Sequence, residues 1–123
     1  TIVDAGGEQK IRLSDRLEIP IPAKPETNLR NGQKVVMGLR TEDIFIAHND
    51  DTGNNPLHFA VNGIIRIIEP LGNETNLHMD LQGADLVAKS EGRRSFSVGE
   101  QQKMILDLTH LHIFDADTEQ SIY

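Results

Sequence analysis

The chain has 123 residues, no cysteine and a formal net charge of −7, from 12 Lys plus Arg against 19 Asp plus Glu. That length suits one domain or two small intertwined lobes, and the absence of cysteine excludes disulfides and thiolate metal sites. The negative charge and an aromatic set of only four Phe and one Tyr argue against nucleic acid as a partner, since they offer neither attraction to phosphates nor a base-stacking platform.

The chain opens Thr1-Ile2-Val3-Asp4, without an initiator Met and without a basic stretch ahead of an apolar run, so no signal peptide is expected. The longest nearly unbroken apolar run, Ile64 to Ile68, contains Arg66 and is far shorter than the ~20 residues a membrane-spanning helix needs. The chain reads as a soluble piece of a longer protein.

Alternation with period two dominates the sequence. Gly6-Gly7 reads as a flexible entry. Strands are predicted at Gln9–Leu13 and Leu17–Ile21, around the polar turn Ser14-Asp15-Arg16. Pro20, Pro22 and Pro25 then confine the next stretch to a sheet edge or coil, because proline has no N–H to give a ladder. Single helical turns are expected near Pro25–Leu29 and Arg40–Asp43. Between them the turn Asn31-Gly32 leads into a strand at Val35–Leu39. The polar run from Asn49 to Pro56 is expected to be a mobile loop.

From His58 to Glu69 one face carries Phe59, Val61, Ile65 and Ile67, and the other His58, Asn62, Ile64, Arg66 and Ile68. This strand is expected to start half-exposed and become buried on both sides, with Gly63 at a bend or bulge. Thr75, Leu77, Met79 and Leu81 alternate with Asn76, His78, Asp80 and Gln82 as a half-buried strand. The turn Pro70-Leu71-Gly72-Asn73 makes a hairpin of residues 58–82. Further strands are predicted at Ala84–Lys89, Lys103–Leu108 and Leu111–Phe114. A terminal turn at Asp115–Gln120 precedes a short return at Ser121–Tyr123. No long window keeps a 3.6-residue apolar stripe. The expected fold is all-β, a small barrel or sandwich.

Several residue groups invite a chemical reading. His110 and His112 would point the same way in a strand, a spacing suited to zinc or nickel, but a third ligand is needed that only His78 or a distant carboxylate could provide, and two exposed polar residues explain them more simply. Asp115-Ala116-Asp117-Thr118-Glu119 opens like a calcium loop but has Gln120 where the loop needs Gly, which favours an Asp-rich turn. Asn73-Glu74-Thr75 fits a glycosylation sequon with no secretory signal beside it. Arg40, Glu42 and Asp43 suit a structural ion pair in one turn better than acid–base work across a substrate. No nucleophile motif and no phosphate-cradling Gly loop occurs.

Three segments resemble one family. Gly38-Leu39-Arg40-Thr41-Glu42-Asp43, Glu69-Pro70-Leu71-Gly72-Asn73-Glu74-Thr75-Asn76-Leu77-His78 and His112-Ile113-Phe114-Asp115-Ala116-Asp117-Thr118 are similar, in order and spacing, to segments of the C-terminal regulatory domain in ATP-binding subunits of maltose-type ABC importers. The resemblance spans residues 5–122. It departs at Thr41, where the family usually has Pro, and at Glu119, where Gly is usual in the terminal hairpin.

The resemblance implies an OB-like small barrel with additional β-strands, residues 1–123 being one regulatory, transport-associated OB domain. It implies an ATPase half N-terminal to the chain, which would hold ATP and Mg; no cofactor is expected in these residues. It further implies a second copy of the same subunit as partner across a two-fold axis, permease subunits at the inner face of the cell membrane, a cytoplasmic location and in some members a regulatory protein. The expected dimer contact is the turn Glu69, Gly72, Asn73, Glu74 and Thr75 together with His112 and Phe114. Three readings stand: a non-catalytic dimerisation and regulatory module, a sensor of a sugar or oxyanion, and a nucleic-acid binder, the last opposed by charge and composition.

Overall fold

A computed structural model describes residues 1–24, 29–47, 55–91 and 95–123. Its strands form three antiparallel sheets. The helical turn expected near Pro25–Leu29 and most of the loop expected at Asn49–Pro56 lie outside the described residues.

The first sheet joins β1 (Ile2–Ala5), β2 (Glu8–Ser14) and β3 (Leu17–Pro20) in that order. Gly6-Gly7 is not a loose entry. Both residues have positive φ, +65° and +88°, and together they close the β1–β2 hairpin with Ala5 opposite Glu8. Two positive φ values in a two-residue loop match the right-handed twist of the strands, and glycine reaches them without steric cost. β3 is an edge strand ending at Pro20, as its prolines dictate.

Next come β4 (Val35–Gly38), a single helical turn at Thr41–Asp43 and β5 (Ile44–Ile46). β6 (His58–Leu71) follows with β7 (Glu74–Leu81), β8 (Ala84–Glu91), β9 (Gln101–Asp107) and β10 (His112–Asp115). β4 and β10 pair as a two-stranded ribbon, while the order β5-β9-β6-β7-β8 makes a curled five-stranded sheet. β5 and β8, its two edges, lie against each other and bring the sheet towards closure. The fold is all-β and OB-like, as expected. The final return is a single bridge between Phe114 and Ser121 rather than a strand.

β6 makes the curl possible. Its first half, His58 to Ile64, pairs with β9; its second half, Ile64 to Leu71, pairs with β7. Between Ile65 and Ile67 the register with β7 shifts at a bulge. One extra residue there reverses the alternation. Ile65 is fully buried, but Ile67 stands 57% exposed and Ile68 turns back to the core. The expectation of burial on both sides therefore fails for Ile64 and Ile67, which face solvent. Gly63 is not the bulge. It is where β7 presses close: a Cβ there would overlap Leu81 Cδ2.

β7 obeys its pattern, with Leu77, Met79 and Leu81 all buried. Together with Ile65, Ala88, Met104 and Leu106 they fill the inside of the curled sheet. The same cluster continues through Ile2, Ile11 and Ile19 of the first sheet and Ile113 of the ribbon.

Candidate partner-contact site

The β6–β7 hairpin carries five of the seven residues expected to meet a partner. Its strands continue to Leu71 and Glu74, so the turn is only Gly72-Asn73. Gly72 has φ +80° while Asn73 stays at negative φ, which fits a type II′ turn. Pro70 pairs with Thr75, and Asn76 Nδ2 donates to Glu69 Oε1 at 3.2 Å across the ladder. Lys89 of β8 reaches Glu74 at 3.5 Å. Leu71 is 53% exposed at the end of the strand. Among the described residues a Cβ on Gly72 would meet nothing within 4 Å.

His112 and Phe114 lie elsewhere, on the β4–β10 ribbon. Both project from the same face of β10 and their rings stack, with centroids 6.1 Å apart and planes at 24°. Gly38, opposite His112, leaves room for them: a Cβ there would lie 3.1 Å from Phe114 Cε2. Val36, opposite Phe114, is 56% exposed. The expected contact is thus divided between two sheets.

The other candidate groups resolve into structural roles. His110 and His112 do not share a strand. His110 ends the helical turn Leu108–His110, which interrupts the expected continuity from β9 to β10. Among the described residues no group of three or more His, Cys, Asp or Glu is placed to hold a metal ion. Asp107 opens that turn by accepting from Thr109 N at 3.0 Å and Thr109 Oγ1 at 2.6 Å. These bonds, the hydroxyl's foremost, hold its carboxyl below the usual carboxylate range, helped by the nearby His58.

Asp115 does the same for the terminal turn, where Oδ1 accepts from the backbone N–H of Asp117 at 2.8 Å and Thr118 at 3.0 Å. The calcium-like spelling is an Asp-rich turn. Arg40 pairs with Glu42 at 3.5 Å, both side chains about 70% exposed, so the pair adds little stability. Asp43 is buried, with Oδ2 lacking a partner among the described residues and Oδ1 4.0 Å from His110 Nδ1.

Sequence reasoning missed one feature. A cleft of about 640 Å³ opens beside the meeting edges of β5 and β8. Phe45 and Ile46 line it from β5, Glu42 from the preceding helical turn, and Glu74, Lys89 and Glu91 from the facing strands. Its lining comes from separate segments, and β5 itself is only three residues long. No local pattern announces it.

Comparison with known proteins places this architecture. Residues 37–114, which run from β4 to β10 and include the whole five-stranded sheet, match the model of the TOBE domain. The chain belongs to the TOBE domain family. This TOBE domain is 32% identical over 117 residues to the sulfoquinovosyl glycerol transport ATP-binding protein SmoE of Agrobacterium fabrum, covering 93% of the chain and 30% of that protein. It is 26% identical over 110 residues to the maltose/maltodextrin import ATP-binding protein MalK of Vibrio parahaemolyticus, covering 88% and 27%. It is 27% identical over 92 residues to the trehalose/maltose import ATP-binding protein MalK of Thermococcus litoralis, covering 75% and 24%. The TOBE domain spans under a third of the length of these relatives. Among the described residues, no helix is long and apolar enough to cross a membrane.

Proposed function

We propose that this TOBE domain is the non-catalytic regulatory and dimerisation module of the ATP-binding subunit of a carbohydrate ABC importer. In this reading the subunit's ATP and Mg are bound outside these residues, and the subunit sits at the inner face of the membrane against its permease partners. The observation that carries the reading is the β6–β7 tip. It is held by a two-residue turn, bears the exposed Leu71 beside Glu69 and Glu74, and has open space at Gly72 among the described residues. A rigid tip with an apolar end and a polar rim suits a standing contact between two copies. Such a contact would be isologous, and it would keep two ATPase halves at high effective concentration while they open and close.

The alternative of an oxyanion sensor finds little support in the cleft, whose lining has three glutamates against one lysine.

Light scattering behind a sizing column, over a concentration series, tests the proposal. A mass approaching twice 13.7 kDa as concentration rises is the expected result. Glu74→Lys should return the chain to monomer without changing its circular dichroism. A monomer at every concentration counts against self-association through this domain alone.

A further inference from the structure

The cleft beside β5 and β8 has three properties that converge on one kind of occupant. First, both bordering strands are sheet edges. Among the described residues β5 forms its ladder only with β9, and β8 only with β7. The two edges meet without a ladder between them, so where the cleft opens beside them each leaves backbone N–H and C=O groups without a strand partner, to which an extended segment can add. Second, the lining is acidic. Glu42, Glu74 and Glu91 face a single ammonium, Lys89, and Lys89 is already drawn to Glu74 at 3.5 Å. Third, β5 lines the cleft with Ile44, Phe45 and Ile46; the two isoleucines are buried in the core and Phe45 is half-buried, an apolar border for the methylene stem of a long cationic side chain.

We infer that this cleft receives an extended basic segment of a partner protein, its backbone adding to the free edge of β8 near Lys89–Glu91 and its Arg or Lys side chains meeting Glu42 and Glu91. Two other occupants fit less well. An anion would meet three carboxylates. A saccharide needs an open aromatic face, and Phe45, half-buried, is already in edge-to-face contact with His58, centroids 5.5 Å apart at 74°. The cleft shares Glu74 with the proposed self-contact, but the inference uses neither Gly72-Asn73 nor the ribbon, and the side chains assigned to the basic segment are Glu42 and Glu91.

The experiment is a titration of the ¹⁵N-labelled domain, followed by amide shifts, with a capped peptide Thr-Arg-Val-Arg-Thr and with its counterpart Thr-Glu-Val-Glu-Thr. The basic peptide should move the amides of Ile44–Ile46 and Lys89–Glu91, with binding that weakens as salt is raised. The double variant Glu42→Gln/Glu91→Gln should keep its circular dichroism and melting curve and lose about tenfold or more in affinity for that peptide. Neither position belongs to the proposed dimer contact, so this loss is distinguishable from a loss of self-association. The inference is overturned if these amides stay still at millimolar basic peptide, if the acidic peptide binds equally well, or if the double variant binds unchanged. It is also overturned if maltose moves the same amides, which would make the cleft a saccharide site.

Discussion

The five-stranded sheet ends in two hairpin tips of the same size and opposite fate. Gly72-Asn73 joins β6 to β7, and Gln82-Gly83 joins β7 to β8, each with positive φ in a two-residue turn. The second tip is docked. Ser14 Oγ, at the end of β2, donates to the Gln82 carbonyl at 2.6 Å, and a Cβ on Gly83 would come within 3.0 Å of Ser14 Cβ. The turn is fixed from inside as well, by the Gly83 N–H donating to Asp80 Oδ1 at 2.8 Å. At the first tip, a Cβ on Gly72 would meet nothing within 4 Å among the described residues. Equal local geometry therefore does not predict equal use. One turn ties the small sheet to the curled one, and the other is the turn we propose for a partner contact.

Breaking the docked tip should cost the most. Gly83→Val meets both an unfavourable φ of +104° and the Ser14 contact, and should destabilise the fold by about 2–4 kcal/mol in urea unfolding. Gly72→Val meets only the backbone conformation and should cost about 1–2 kcal/mol. Equal losses would mean that the docking of the second tip is energetically idle. Ser14→Ala, which removes the hydrogen bond but leaves the turn, should cost about 1 kcal/mol and leave the oligomeric state untouched in light scattering.

A smaller effect, of opposite sign, lies at Glu119. Its φ of +61° is the left-handed conformation that glycine adopts freely, and glycine is the residue the family resemblance places there. Glu119→Gly should raise stability by about 0.5–1 kcal/mol, seen as a higher melting temperature.

Acid should loosen the docked tip before the free one. The Asp80 carboxyl is held below its ordinary range by the hydrogen bond from Arg66 and then by that from Gly83 N–H. A folded-state value below the unfolded one contributes stability that is present above the ordinary aspartate range and is lost as pH falls through the folded value. Between pH 5 and strongly acid conditions Asp80→Asn should flatten the fall of stability with acid, measured by urea unfolding across pH, and a parallel curve would contradict the assignment. The lowered carboxyls of Asp107 and Asp115 add to the same slope in the wild type.

Much of this architecture is legible in the sequence because β7 alternates without interruption: Leu77, Met79 and Leu81 are all inside, and their neighbours are not. Three features are hidden for identifiable reasons. β5 has three residues, too few to show a period. The extra residue of the β6 bulge inverts a pattern that period-two counting carries straight on, so Ile67 is assigned to the wrong side. Gly6-Gly7 has the composition of a linker, and only the pairing of Ala5 with Glu8 reveals a turn. The proposed contact is legible at one end only. The Glu69–Thr75 segment is continuous and its hairpin forms, with Pro70 and Leu71 paired in the strand and a turn of Gly72-Asn73 alone in place of the expected Pro70–Asn73, whereas the position of His112 and Phe114 on a separate ribbon depends on the pairing of β10 with β4, a contact distant in sequence.

The difference between the two tips can be measured directly, because the chain has no cysteine of its own. A nitroxide is attached through Asn73→Cys in one sample and through Gln82→Cys in another, and dipolar coupling between copies is recorded at concentrations where light scattering shows a dimer. A short, narrow distance distribution at position 73 and longer or unresolved distances at position 82 are the predicted result. The shorter distance at position 82, or no coupling at position 73, would contradict the assignment of the free tip to the partner contact.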